Sequence, residues 1–199
     1  MSDSTATTLS ARPYDAVLLG LLALSLTFNI LIAYRFAVPN SVSSPTNANR
    51  RAGPAVGITL PPLDAELLGG GRELLRFGSD SRPTLLYVFT PACQWCSRNA
   101  NNIRAVTARA QGSYRLAALS LDPDKDSVTA YVREQGIEFP VYVKPSAESV
   151  SAYALGATPH TLLIDRSGKV LQSWVGAFAG TVGSQVEAVF KLKLPGLVR

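Results

Sequence analysis

Cysteine, histidine and methionine are all scarce in this 199-residue chain: two Cys, one His and one Met. Two cysteines allow at most one intramolecular disulfide. Cys93 and Cys96 would close only a minimal loop, so the multi-bridge framework of a small secreted fold is excluded and a stabilising role fits poorly. A structural zinc site needs four ligands, and two cysteines with the lone His160 fall short of that. Covalent haem attachment would need a histidine directly after Cys96, where the chain has Ser97. A basic run interleaved with aromatics is also missing. The net charge of +5 comes from scattered Lys and Arg, which reads as a mildly basic surface and argues against nucleic-acid binding. There is no internal repeat.

What the chain does have is apolar material, 47% of its residues, enough for one domain and something extra. Residues 16–34, AVLLGLLALSLTFNILIAY, carry no charge, and Asp15 and Arg35 bracket them. At helical rise they span roughly 28 Å, close to a bilayer core. Buried helices of soluble proteins seldom run so long without a polar face. A cleaved signal peptide is the stronger competitor, but the run is long for such a segment and no small-x-small cleavage site follows. We therefore expect a tail at 1–15, a single transmembrane anchor at 16–35, a flexible linker at 36–57 rich in Pro, Ser, Asn and Gly, and a globular domain at 58–199. Arg12 and the amino terminus precede the span while Arg35, Arg50 and Arg51 follow it. By charge alone this leans towards a cytoplasmic domain, but the bias is too small to fix the side.

In the domain, Thr84 to Phe89 (TLLYVF) reads as a central strand buried on both faces. Residues 94–110 show helical spacing, with Ile103, Val106 and Ala110 on one face. A strand at 116–121 follows, then a helix around 128–135 stopped by Gly136, a short strand at 139–143 and a short helix at 147–155. Residues 161–164 and 169–175 form a hairpin through the turn Asp165 to Gly168, and an amphipathic helix at 182–192 ends the domain. Strands alternating with helices predict an α/β sheet covered on both faces.

Cys93 thus falls where a strand hands over to a helix. A thiol there meets unpaired backbone N–H groups and the positive end of the helix dipole, and both favour a nucleophilic thiolate. Cys93 is the expected attacker. Cys96, one turn on, would resolve the mixed disulfide and leave a Cys93–Cys96 disulfide, with no further cofactor and no metal. Arg98 would add positive potential. Two buried cysteines acting as small hydrophobes, without redox chemistry, remain the competing reading at this spacing.

A second motif is GATPHTLLIDRSGKV, residues 156–170, with Thr158-Pro159 directly before a buried strand. FTPACQWC, LDPDKDSVTAYVREQGIEFPVYV, AYALGATPHTLLIDRSGKV and the N-terminal span together resemble the membrane-anchored, thioredoxin-like thiol–disulfide oxidoreductases of the TlpA/ResA kind in the redoxin superfamily, over roughly residues 60–192. The resemblance implies a thioredoxin-like α/β fold with an extra helix and strand at 126–143. It also implies a cis Pro159 facing the cysteines, with Thr158, Pro159 and Trp95 contacting substrate. Such proteins sit on the outer face of bacterial cytoplasmic membranes and reduce disulfides in partner proteins such as apocytochromes (cytochrome c biogenesis) or copper-site factors. A membrane thiol carrier recharges them. On this basis the domain is expected on the periplasmic side. Three positions depart from the pattern. Ala92 replaces a tryptophan before the first cysteine, Tyr87 stands where many relatives bury a carboxylate, and Asn99 where some carry a glutamate. His160, next to Pro159, is a candidate for tuning the thiolate. Two alternatives are kept: a copper carrier using Cys93, Cys96 and His160, and a peroxiredoxin-like peroxidase suggested by Thr90-Pro91-Ala92-Cys93. The second is weakened because Leu86, seven before Cys93, is not a proline.

Overall fold

The computed structural model describes residues 13–37 and 53–198. The expected tail up to residue 12 and the linker at 38–52 lie outside the described residues. The chain divides into two units, residues 1–44 and 45–199.

The first unit holds one helix, α1 (Pro13–Ala37). Its described side chains, 17–33, are apolar on all sides. The few polar ones bond to the helix itself: Thr27 Oγ1 donates to the carbonyls of Ala23 (3.0 Å) and Leu24 (2.9 Å), and Asn29 Nδ2 to that of Ser25 (2.8 Å). Among the described residues no helix is long and apolar enough to cross a membrane; the stretch 17–33 spans about 25 Å at helical rise.

The second unit is a seven-stranded mixed sheet in the order β2-β1-β5-β4-β3-β6-β7. An antiparallel hairpin of β1 (Leu63–Leu67) and β2 (Arg72–Leu75) forms one edge. The central strand β3 (Thr84–Phe89) is buried at all six residues, as its uniform β-prone composition predicts. It is followed by α2 (Gln94–Arg98) and α3 (Ala100–Ala110), where the 94–110 periodicity predicts one helix. Next come β4 (Arg115–Ser120), parallel to β3, and α4 (Lys125–Gln135). Asp124 caps α4 through its side chain, and Gly136 ends it at φ 63°, a left-handed turn glycine adopts without strain. β5 (Val141–Val143) and α5 (Ala147–Ala152) follow. The hairpin of β6 (His160–Ile164) and β7 (Val170–Val175) and the helix α6 (Gly180–Phe190) complete the chain.

Alternation along β3 divides the apolar core between the two faces. Leu85, Tyr87 and Phe89 join Cys96, Ile103, Val106, Tyr131, Trp174 and Val186 on the face carrying α2, α3, α4 and α6. Leu86 and Val88 join Leu63, Leu119, Tyr142, Tyr153 and Leu162 on the other. The domain's packing begins before residue 58. Gly57 N donates to Val170 O (2.8 Å) and Leu60 N to Gly168 O (2.9 Å). Gly53 lies so close to the His160 ring that an added Cβ would stand 2.4 Å from its Cε1.

Candidate active site

β3 delivers the chain to its carboxyl end at Phe89, and Thr90 to Ala92 turn it into α2. Cys93 is the N-cap of α2: its Sγ accepts from the Cys96 N–H at 3.1 Å. The same N–H also donates to the Cys93 carbonyl at 2.9 Å, and its contact with the sulfur stabilises negative charge there. The Cys93 thiol also donates to the Thr158 carbonyl at 3.4 Å, and Thr90 Oγ1 lies 3.4 Å from Thr158 Oγ1. The Thr158–Pro159 bond is cis. Cys93 is partly exposed, whereas Cys96 is completely buried, and both are free thiols. Burial pushes Cys96 up to about 12, chiefly because the thiolate would lose its hydration, with the neighbouring Cys93 adding to the shift.

The loop before β6 therefore brings Thr158 and Pro159 against Cys93, and the sequence candidates Trp95 and Arg98 stand beside them on α2. Trp95 is half exposed and the Arg98 guanidinium lies 4.8 Å from its ring centroid, a cation–π contact. Arg98 Nε also donates to the Val198 carbonyl at 3.1 Å. These two contacts fix the guanidinium against the C-terminal segment and Trp95.

His160 does not join them. It pairs with Val88, whose side chain belongs to the core opposite Cys96, while its neighbour Thr161 pairs with Tyr87 on the cysteine side. Alternation along the strand carries the imidazole to the far face. There its Nε2 lies 3.0 Å from Ser173 Oγ, and burial lowers its pKa to about 4, keeping the ring neutral. The expected tuning of the thiolate has no geometric basis in this arrangement.

The structure adds one residue that the sequence did not single out, and gives a role to another noted there only as a departure from the family pattern. Tyr131, on the inner face of α4, stacks on Phe89 with centroids 4.9 Å apart, in the buried cluster that also holds Tyr87 and Cys96. Its spacing from Val128 marked it only as an apolar helix position. Asn99, between α2 and α3, is buried; its Oδ1 accepts from the Phe178 N–H (2.9 Å) and from Asn102 Nδ2 (3.0 Å). No local signal marks that role, because Phe178 lies far along the chain.

The profile of the AhpC/TSA family matches residues 57–173, from the first packed segment through most of β7. The chain belongs to the AhpC/TSA family. Within it, the TlpA/ResA-like resemblance has direct support. Over 61 residues the chain is 31% identical to "Thiol-disulfide oxidoreductase ResA" of Bacillus thuringiensis and 30% identical to that of Bacillus cereus, covering 31% of this chain and 35% of each relative. The match spans about a third of the length of these curated relatives. Two solved structures carry the same thioredoxin-like fold. One is a putative thiol:disulfide interchange protein DsbE from Chlorobium tepidum (TM-score 0.57, 21% identity, 69% of this chain and 94% of that one). The other is the thioredoxin domain of a thiol-disulfide oxidoreductase from Bacteroides vulgatus (TM-score 0.56, 17% identity, 69% and 99%).

Proposed function

We propose that this AhpC/TSA-family protein is a membrane-anchored thiol–disulfide oxidoreductase acting on partner proteins through Cys93 and Cys96. One observation carries the reading: a partly exposed sulfur at a helix start, accepting the Cys96 N–H at 3.1 Å, with a second, buried thiol one turn behind it. Cys93 Sγ attacks a partner disulfide, forms a Cys93–partner disulfide and expels the partner's other sulfur as a thiolate. Cys96 Sγ then attacks Cys93 Sγ, so that the protein is oxidised to a Cys93–Cys96 disulfide and the partner is fully reduced. A membrane thiol donor recharges the pair.

Thr158, Pro159 and Trp95 form the docking surface for the partner chain. Among the described residues the Thr158 N–H makes no hydrogen bond, which suits it to pair with an extended segment. The anchor reading rests on the sequence of residues 16–34, an uncharged run between Asp15 and Arg35, and the bonds of Thr27 and Asn29 to their own helix leave few polar groups to be satisfied by lipid. The resemblance to the TlpA/ResA kind supports a domain held outside the cytoplasmic membrane, with apocytochromes or copper-site factors as its partners. The copper-carrier alternative loses its third ligand, because His160 lies across the sheet from Cys96.

The test is insulin reduction by the purified protein beside copper binding and peroxide consumption. Wild type should reduce insulin, Cys93→Ser should lose turnover, and Cys96→Ser should accumulate partners as mixed disulfides on Cys93. Persistence of disulfide exchange in Cys93→Ser would sink the reading.

A further inference from the structure

The second step of that exchange poses a problem of proton removal. Cys96 is buried, and at neutral pH it is a thiol that becomes a nucleophile only by shedding its proton. The titratable groups facing it are Cys93 on its own turn, Tyr87 from β3 and Tyr131 from α4. None of these is a carboxylate or an imidazole. During resolution Cys93 is locked in the mixed disulfide, so the two phenols are what remains.

Their placement is specific. The Tyr87 hydroxyl is buried and, among the described residues, has no hydrogen-bond partner, an unusual state for a phenol that costs stability unless something else is gained. The Tyr87 side chain shares one buried cluster with Cys96 and Tyr131. Both tyrosines line the inner end of a cleft of about 20 Å³ between α3 and α4, whose mouth is formed by the exposed Arg104 and Gly136. A space of this size holds about one water molecule. The cleft thus opens to the surface from two phenols that share the buried cluster of Cys96.

We propose that Tyr87 and Tyr131 relay the Cys96 proton to solvent through this cleft during resolution of the mixed disulfide. The inference rests on the oxidoreductase reading above. As the Cys96 sulfur forms its bond to Cys93 Sγ, the Cys93–partner bond breaks and its electron pair leaves on the partner thiolate. The Cys96 proton passes to the Tyr87 oxygen while the Tyr87 proton passes to Tyr131 and the Tyr131 proton to water. Both phenols end neutral, and one proton is released to solvent. Burial raises the pKa of each phenol, so they pass the proton on and do not keep the charge.

The test uses the full-length protein and dithiobis(nitrobenzoate). Attack by Cys93 releases one thionitrobenzoate and leaves the other on Cys93; attack by Cys96 then releases the second, so the two phases report the two steps. Tyr87→Phe and Tyr131→Phe should each slow the second phase about tenfold or more near neutral pH. The deficit should shrink as pH is raised from about 7 to about 10, where hydroxide removes the proton directly. A packing defect would instead persist at every pH. If both variants release the second thionitrobenzoate as fast as wild type, or equally slowly at all pH values, the relay is overturned while the exchange reading stands. If wild type never forms the Cys93 adduct, both fall.

Discussion

His160 is the only histidine of the chain, and its surroundings make it an acid-sensitive stability element. It is 1% exposed, is packed under Gly53, and bonds with Ser173 in the neutral form. Its pKa falls from 6.5 to about 4 because the imidazolium would be stripped of water. Between those two values the unfolded chain binds a proton that the folded chain refuses. Stability from this group is therefore complete above pH 6.5 and declines as pH drops towards 4, by about 3 kcal/mol in all. Urea unfolding at about pH 7 and pH 4.5 should show this loss beyond the carboxylate background. His160→Gln, which keeps a partner for Ser173 but cannot titrate, should show a visibly shallower pH dependence. An identical slope in the two proteins would mean that the imidazole is not the group responsible. Adjacency in sequence made His160 a neighbour of Pro159 and hence of the thiols. A single strand step put it on the other face, a distinction legible only once the register of β3 against β6 is known.

At the scale of elements, what was legible followed from local composition. TLLYVF has no polar residue to place on a solvent face beyond its first threonine, so a doubly covered strand was its natural fate. Gly136 and the Asp165 to Gly168 turn carry their backbone requirements in their own residues. The C-x-x-C placement was readable for the same reason, since a strand and a helical period meet at Cys93. The break between α2 and α3 was not, because Asn99 is held by the Phe178 backbone, 79 residues away. Nor was the polar row on the cysteine face of the sheet. Tyr87, Thr161 and Trp174 are register partners across β3, β6 and β7, and each buries a polar atom that has no partner among the described residues. An alternating strand pattern sees only apolar or β-branched residues there. The row gives a prediction of its own. Thr161→Val keeps the shape of the side chain and removes an unpartnered hydroxyl, so it should change stability by less than about 1 kcal/mol, or raise it. Thermal unfolding would show it; a loss of 2 kcal/mol or more would mean that the hydroxyl is engaged by an ordered water that links it to its neighbours.

For the whole molecule, the question is where a redox couple of this kind is held, and two lines of reasoning pull apart. Counting Arg12 and the amino terminus against Arg35, Arg50 and Arg51 leans towards a cytoplasmic domain. The resemblance to the TlpA/ResA kind instead implies a domain outside the cytoplasm, and two of those three downstream arginines lie about fifteen residues beyond the span, at the limit where charge still biases orientation. The resemblance therefore outweighs the charge count, and the catalytic domain is expected outside. The full-length protein should pellet with membranes and resist extraction by high salt and alkaline carbonate. Leu24→Lys places a charge near the middle of α1 at a cost of about 2.5–3.5 kcal/mol for insertion, and should shift much of the protein to the soluble fraction while leaving insulin reduction by the detached domain in place. In spheroplasts, a membrane-impermeant maleimide should then label Cys93, the partly exposed thiol, in wild type and not in Cys93→Ser. Labelling that appears only after lysis would put the domain inside, and with it the charge count would be right and the partner class wrong.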